Sequence, residues 1–294
     1  MKSYSEKLNV IAKNTDAYLK RFFLKQTKNS KLLRPMRYGH FSGGKRLRSA
    51  ILINTGKIFK IDYKKLIIVA SAVECVHSYS LIHDDLPAMD NDNLRRGKLS
   101  AHKKFNEYTA ILAGNSLLTL AFEILCEKDL KITEKRKIEL IKSLSNCSGH
   151  SGLAGGQHSD LTFEKKKISR KKIINMQKKK TGNLFGFCCE SAAIISGKNK
   201  KIRNSLKDIG VSIGLLFQVV DDLIDFKGES SVVGKPTKSD KAKGKATLVN
   251  LFGYEKSLIF AKDLKKDIKQ KIIKYGTKSK DLLESVDFIL DRNF

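Results

Sequence analysis

Apolar residues recur at spacings of three and four along most of this chain, a pattern typical of amphipathic helices. The 294 residues include only three prolines, so long helices can form without interruption. Alternating apolar and polar runs, which would indicate strands, are scarce. The sequence therefore predicts an all-α helical bundle. The predicted helices lie near 4–25, 46–59, 64–84, 108–127, 134–149, 169–196, 202–226 and 255–290.

A single domain over residues 1–294 is predicted, because no linker rich in proline, glycine or serine divides the chain. Glycine-rich interruptions at 42–44, 152–156 and 228–234 indicate helix ends or hinges.

The N-terminus, MKSYSEKLNV, carries charge where a signal peptide requires an apolar run, and we expect no apolar stretch of membrane-spanning length. The five cysteines show neither CxxC spacing nor a disulfide framework. We therefore expect a soluble, cytoplasmic protein without stable membrane insertion.

The formal net charge of +28 makes nucleic acid or an anionic membrane surface a candidate partner. The lysines are nevertheless spread along the whole chain, without interleaved aromatic residues or a known binding module. We interpret them as a solvated surface that would attract phosphorylated substrates, and we predict no nucleic-acid partner.

The stretch LIHDDLPAMDNDNLRRG, residues 81–97, combines acids that could hold metal with cations that could hold phosphate. The acids are Asp84, Asp85 and Asp90, and the cations are Arg95 and Arg96. Mg²⁺ takes carboxylate oxygens and shares its remaining positions with water and substrate phosphates, while arginines bind phosphate as planar forks. Taken alone, such a run is equally consistent with a solvated acidic turn.

Two neighbours of these acids shape the predicted site. Pro87 should end the helix just after Asp85, so that the chain can bend and return Asp90 toward the same metal site. His77 lies two turns before Asp84 on the same helix face. A histidine in an apolar run is also a common hydrogen-bonded core residue.

The segment GGKRLR, residues 43–48, resembles an anion site at the start of a helix. Its glycines allow close approach of the backbone to an anion, and a helix N-terminus adds partial positive charge. Lys45 and Arg48 are three residues apart and can face one ligand. The P-loop pattern GxxxxGK[ST] is absent.

A second acidic cluster lies in the apolar run LLFQVVDDLIDF. Asp221 and Asp225 share a helix face, with Asp222 beside them and Gln218 one turn earlier. Carboxylates crowded on an apolar helix repel one another unless a cation joins them. Together, the two clusters predict a polynuclear Mg²⁺ site that holds a diphosphate between facing helices.

Seen together, the motifs resemble those of the trans-prenyl diphosphate synthases, or polyprenyl synthetases. They are GGKRLR, HDDLPAMDNDNLRRG, the GGQHSD of 155–160, the KTG of 180–182, FQVVDDLID, GKPTKSD and GKAT. Their order and spacing fit the family from about residue 34 to 250. The long first acidic motif, with Tyr79 five positions ahead of it, is most similar to bacterial farnesyl diphosphate synthases. The resemblance implies an isoprenoid-synthase bundle with a central cavity between two Asp-bearing helices.

The resemblance also implies a role for each matching residue. The catalytic group would be Asp84, Asp85, Asp90, Asp221, Asp222, Lys180, Thr181 and Gln218. Two or three Mg²⁺ ions per subunit would be bound by Asp84, Asp85, Asp90 and Asp221. With these ions, the allylic diphosphate would be held by Arg95, Lys180, Thr181, Gln218, Lys235 and Lys245. Isopentenyl diphosphate would be held by Gly44, Lys45, Arg48, His77 and Arg96.

The implied reaction joins isopentenyl diphosphate to dimethylallyl or geranyl diphosphate, giving farnesyl diphosphate by ionisation, condensation and elimination. The loop 227–246 would act as a lid over the phosphates. On a helix, Tyr79 would lie about 7 Å below Asp84, where its ring would limit growth of the product. The family further suggests a homodimer.

Some positions depart from the family pattern. Asn91 and Asn93 replace acids, Asn115 stands where aspartate is common, and Ser49 stands where proline often follows LR. We interpret Asn115 and Ser49 as structural drift. A contact of Arg292 with isopentenyl diphosphate is a further expectation.

Four alternatives stay open on the sequence. A geranylgeranyl diphosphate synthase would differ in product length alone. A terpene cyclase shares the two acid clusters but needs no second diphosphate site, which GGKRLR and His77 predict. A metal-dependent phosphohydrolase is suggested by His83-Asp84, although the other histidines lack suitable spacing. A basic nucleic-acid binder would have to accommodate buried acids that repel phosphate backbones.

Overall fold

The computed structural model describes residues 3–25, 30–227 and 244–291. These residues form helices and one two-stranded hairpin, which confirms the predicted all-α class. Lys235, Arg292 and most of the predicted lid lie outside the described residues. The helices are α1 Tyr4–Lys25, α2 Leu33–His40, α3 Leu47–Ile58, α4 Tyr63–Asp84, α5 Ala101–Lys104, α6 Glu107–Cys126, α7 Glu134–Ser148, α8 Leu153–Phe163, α9 Arg170–Gln177, α10 Asn183–Ile195, α11 Lys200–Lys227, α12 Leu248–Phe252, α13 Tyr254–Ile273 and α14 Lys280–Asp291.

Several parts of the chain differ from the predicted helices, and the short helices α5 and α12 are among those not predicted. Helix α2 was not predicted; Pro35 lies in its first turn, where the missing N–H leaves no helical hydrogen bond unmade. Helix α8 occupies a glycine-rich stretch interpreted as a helix end or hinge. The predicted helix 255–290 is broken near Gly276, whose φ of +76° ends the regular spiral.

Unit 1 consists of residues 1–53 and 62–137, and α4 is its core helix. Asp62 caps α4 by accepting hydrogen bonds from the N–H groups of Lys64 and Lys65. From Leu66 to Val76 the helix is buried on every side, as expected of a core helix. Helices α1, α2 and α6 pack around it.

Helices α4 and α6 have the length and apolar composition needed to cross a membrane, so the expectation that no stretch would reach this length was wrong. In α4, 78% of the apolar window is buried inside the structure, compared with 44% in α6. The apolar character of α4 is therefore explained by its central position in unit 1.

The hairpin of unit 1 joins β1 Leu94–Arg95 to β2 Lys98–Leu99. Arg96 and Gly97 form the connection, with φ values of +53° and +74°. Positive φ at both central residues is characteristic of a type I′ turn. Because Arg96 is in this turn, its side chain leaves the backbone in a direction different from that of Arg95.

Unit 2 consists of residues 54–61 and 138–294, and the pair α10 and α11 forms its core. Their backbones approach closely at glycines. A Cβ atom on Gly210 would lie 2.7 Å from Cα of Gly186, and one on Gly214 would lie 2.6 Å from Cα of Gly182. Any side chain at these positions would push the helices apart. The contact holds the second acidic helix against the KTG segment.

Replacing Gly214 by alanine tests this contact. Alanine favours a helix by about 1 kcal/mol over glycine. We nevertheless expect Gly214→Ala to lower the free energy of unfolding by about 1–3 kcal/mol, because overpacking outweighs that gain. Denaturant unfolding measures the effect. The control is Gly149→Ala, whose new Cβ would lie 3.1 Å from its nearest neighbour, the carbonyl oxygen of Ser145. Equal stability of the two variants would contradict the proposed contact.

Candidate active site

The first acidic motif forms a turn that folds back onto the end of α4. The helix ends at Asp84, as Pro87 predicted. The N–H of Asp90 donates to the carbonyl of Asp84 at 2.9 Å, and that of Asp92 donates to the carbonyl of Asp85 at 3.2 Å. The predicted return of the chain at Asp90 is therefore confirmed at the level of the backbone.

Asp85 and Arg95 form a buried ion pair inside this turn. Nε of Arg95 donates to the carboxylate oxygens of Asp85 at 2.9 and 3.2 Å, and Nη2 donates to the same group. Burial alone would lower the pKa of Arg95, but the hydrogen bonds and charge of Asp85 outweigh it and raise that pKa. A residue predicted to bind metal and one predicted to bind phosphate thus contact each other.

A cationic cluster lies at the GGKR segment of unit 1. Nη1 of Arg48 lies 3.2 Å from Nε2 of His77. Arginine can only donate, so this histidine nitrogen is the acceptor and carries no proton. Burial, followed by the charges of Arg48 and Arg96, holds the pKa of His77 well below its usual range. His77 is therefore neutral and orients the guanidinium of Arg48.

Arg96 completes this cluster. Its guanidinium donates to the carbonyl of Gly43 and lies over Gly44, where an added Cβ would come within 2.6 Å of it. Burial and the charge of Arg46 lower the pKa of Arg96 to about 10. Four of the five residues predicted to hold isopentenyl diphosphate, Gly44, Arg48, His77 and Arg96, are thus brought together, and Lys45 is exposed on the same segment.

In unit 2, a π-helical turn over Lys178–Gly182 presents the KTG segment. Such turns are rare and often occur at functional sites. Nζ of Lys180 pairs with Asp160 at 2.6 Å, and a Cβ on Gly156 would lie 2.1 Å from the backbone nitrogen of Lys180. The GGQHSD motif therefore positions Lys180 through both its carboxylate and its glycine.

A chain of hydrogen bonds links this turn to the second acidic cluster. Asp222 is 4% exposed and accepts from the side-chain amides of Gln177 at 2.7 Å and Gln218 at 2.9 Å. With its amide nitrogen held by Asp222, Gln218 turns its oxygen toward the hydroxyl of Thr181 at 2.8 Å. Asp222 thus orients Gln218, while Asp221 and Asp225 are partly exposed. The role of Gln177 was missed; its i, i+4 spacing from Thr181 was the available signal.

The acids match the donor chemistry of Mg²⁺, although the described residues contain no group of three or more acidic, histidine or cysteine side chains arranged to hold a metal. Mg²⁺ is commonly bound through one or two carboxylates together with water and substrate phosphates. Partly exposed carboxylates such as Asp84 and Asp221 fit this mode of binding.

His83 and Tyr79 share one face of α4. Nε2 of His83 donates to the carbonyl of Ile111 at 3.0 Å. The ring of His83 packs directly against Gly114, where an added Cβ would lie 2.2 Å from Nε2 of His83. His83 therefore packs against α6, which removes the basis for a phosphohydrolase. The rings of Tyr79 and His83 meet edge-on with centroids 5.0 Å apart. Burial and the charge of Asp84 raise the pKa of Tyr79.

Lys245 and Asn115 are two further positions that the sequence analysis identified. The backbone carbonyl of Lys245 accepts from the side-chain amide of Asn250 at 2.9 Å, just before α12. Asn115 is exposed on α6.

Comparison with known proteins agrees with these motifs. A family model described as polyprenyl synthetase matches residues 29–286. The chain belongs to the polyprenyl synthetase family. Farnesyl diphosphate synthase of Escherichia coli K12 is 38% identical to this polyprenyl synthetase over 296 residues, covering 99% of each chain.

Solved structures show the same fold. An FPP/GFPP synthase from Zymomonas mobilis has a TM-score of 0.85 and 37% identity, covering 97% of this chain and 99% of its own. A geranyltransferase from Helicobacter pylori, solved with magnesium and isoprenyl diphosphate, has a TM-score of 0.83 and 28% identity, covering 99% of this chain and 98% of its own. The predicted family, fold and prenyltransferase class are confirmed.

Two histidines with lowered pKa values, His40 and His77, make the stability of this polyprenyl synthetase depend on pH. Burial, then the charges of Arg46 and Arg96, holds the pKa of His40 well below its usual range, as burial and Arg48 do for His77. Below about pH 6.5 these two histidines bind protons in the unfolded chain but stay neutral in the folded protein. Their contribution to the free energy of unfolding is therefore present above that pH and is lost as pH falls.

We expect the thermal midpoint of the wild type to fall between about pH 7 and pH 5, and His77→Gln to reduce this fall. Glutamine can still accept from Arg48 but does not titrate. Calorimetry at several pH values measures the slope. The matched control is His150→Gln, at an exposed histidine, which should keep the wild-type slope. An unchanged slope in His77→Gln would contradict the assignment.

Proposed function

We propose that this enzyme condenses isopentenyl diphosphate with dimethylallyl or geranyl diphosphate to form farnesyl diphosphate and diphosphate. The observation that carries the proposal is the divergence of two consecutive arginines. The side chain of Arg95 contacts Asp85 in the acidic turn, whereas that of Arg96 contacts the GGKR segment. Neighbouring residues thus serve an acidic site suited to metal and diphosphate and a cationic site suited to a second diphosphate.

A second diphosphate site distinguishes a chain-elongating enzyme from a terpene cyclase. The cluster of Arg48, His77 and Arg96 can bind a diphosphate through cations alone. A cyclase has one diphosphate substrate and needs no such cluster. The nucleic-acid alternative gains no support, because the buried acid Glu74 acts on Arg96 of this cluster and would repel a phosphate backbone.

The metal ligands that we assign are Asp84, Asp85, Asp90 and Asp221, with two or three Mg²⁺ ions per subunit. When bound, Mg²⁺ neutralises charge on the departing diphosphate. Arg95 would exchange its contact with Asp85 for the allylic diphosphate, which releases that carboxylate for metal. Lys180, held by Asp160, supplies a further cation, and we assign Lys245 and Lys235 the same role.

The chemistry then proceeds without a protein nucleophile. The allylic C–O bond breaks and its electrons leave with diphosphate. The double bond of isopentenyl diphosphate forms the new C–C bond, and a C–H bond then breaks, with its proton passing to the released diphosphate. Oxygen lone pairs of Thr181 and Gln218, fixed by Asp222 and Gln177, stabilise the positive charge.

We further propose a cytoplasmic homodimer. Tyr108, Ile111 and Leu112 of α6 are 67%, 40% and 49% exposed, and such an apolar patch favours association. The cysteines are free, and those other than Cys126 are buried, which suits a reducing compartment.

An activity assay tests the proposed function. Purified protein with Mg²⁺, isopentenyl diphosphate and either allylic starter should yield a fifteen-carbon product, and a chelator should abolish it until Mg²⁺ is restored. Asp84→Ala and Asp221→Ala should each reduce turnover by roughly 100-fold or more. The control Asp208→Asn, at an exposed acid on α11, should retain activity. Absence of product with both starters would refute the function, and full activity of the acid variants would refute the metal assignment.

Tyr79 is proposed to limit product length, because its ring is held against His83 and cannot move aside without losing that contact. Tyr79→Ala should shift the product toward twenty carbons or more, whereas Tyr79→Phe, which keeps the ring, should not. Chromatographic analysis of the dephosphorylated products measures the shift. An alanine variant with the wild-type product would show that another residue ends elongation.

A further inference from the structure

Arg46 is a buried arginine in the middle of the GGKRLR motif and has none of the predicted ligand roles. It is 4% exposed and has a φ of +50°. Arginine is seldom buried without partners, and left-handed backbone is unfavourable for residues other than glycine. Both features indicate that specific contacts hold Arg46 in place.

Those contacts reach three helices of unit 1. Nε donates to Asp16 of α1 at 2.9 Å, and Nη2 donates to the carbonyl of His40 in α2 at 2.8 Å. Nη1 lies 3.6 Å from Oε2 of Glu74 in α4. The guanidinium of Arg46 therefore points into the protein and anchors the segment from within.

Glu74 anchors the same segment at a second point. It is 1% exposed, and its Oε1 accepts from both the N–H of Ser49 at 3.2 Å and the hydroxyl of Ser49 at 2.9 Å. A proline at position 49 could supply neither donor. The interpretation of Ser49 as structural drift was therefore incomplete, because its two donors hold the first turn of α3.

Glu74 is one helical turn from His77 on α4, and Arg48 lies between the two anchored residues Arg46 and Ser49. The geometry points to Arg46 as a positioning residue: with Glu74 and Ser49, it fixes the GGKR segment so that Lys45 and Arg48 meet the diphosphate of isopentenyl diphosphate. This inference rests on the proposed function, since it concerns one of its two substrates.

The test compares Arg46→Gln, Arg46→Gly and Glu74→Ala with the wild type. Glycine accepts positive φ, so Arg46→Gly removes the anchor without adding backbone strain and keeps the test valid if Arg46→Gln unfolds. Each variant should raise KM for isopentenyl diphosphate about tenfold or more, because small misplacements of binding groups are costly. The KM for the allylic substrate and kcat should stay within about twofold. Calorimetric titration with isopentenyl diphosphate alone should show the same weakening.

The matched control is Arg203→Gln, which removes an arginine paired with Glu139 at 3.1 Å and Glu190 at 3.5 Å in unit 2. It should lower stability without changing KM for isopentenyl diphosphate. Folded Arg46→Gly and Glu74→Ala with wild-type KM would overturn the positioning role, as would equal losses for both substrates. A wild type that produced no prenyl product would instead refute the proposed function, and the positioning role with it.

Discussion

Charged side chains within a helical bundle need partners, because removing an unpaired charge from water is strongly unfavourable. Three buried acids near the predicted ligands meet that requirement in specific ways. Asp85 pairs with Arg95, Asp160 with Lys180, and Asp222 with two glutamine amides. Carboxylates such as Asp84 and Asp221 are instead partly exposed. Asp84 and Asp221 are therefore directly accessible to a metal ion, whereas Asp85 would meet one only after releasing Arg95.

The two units hold the groups of the proposed site in place by different interactions. In unit 2, Asp222 determines which atom of Gln218 faces Thr181, so an amide acts as a fixed dipole. In unit 1, His77 and Glu74 keep positively charged groups close together that would otherwise repel one another. Preorganised groups of this kind need little rearrangement when a charged ligand binds or when charge develops during the reaction.

The sequence allowed prediction of features that depend on local spacing. These include α1, the end of α4 before Pro87, and the return of the backbone at Asp90. Features that depend on partners distant in the sequence were missed. Arg46 lies thirty residues from Asp16, and Gln177 lies forty-five residues from Asp222. The role of the glycines in the contact between α10 and α11 was missed, because a close helix contact leaves no apolar periodicity in the sequence. The apolar length of α4 was underestimated, because this helix is buried on every side.

The hairpin β1–β2 sets the spacing between two neighbouring charges. Only Arg96 and Gly97 connect the two strands, so the length of this turn fixes the register of the hairpin. Adding or removing one residue would turn Arg95 away from Asp85 or Arg96 away from Gly43, because side chains alternate along a strand. A change in the length of this turn would therefore act as a change in specificity.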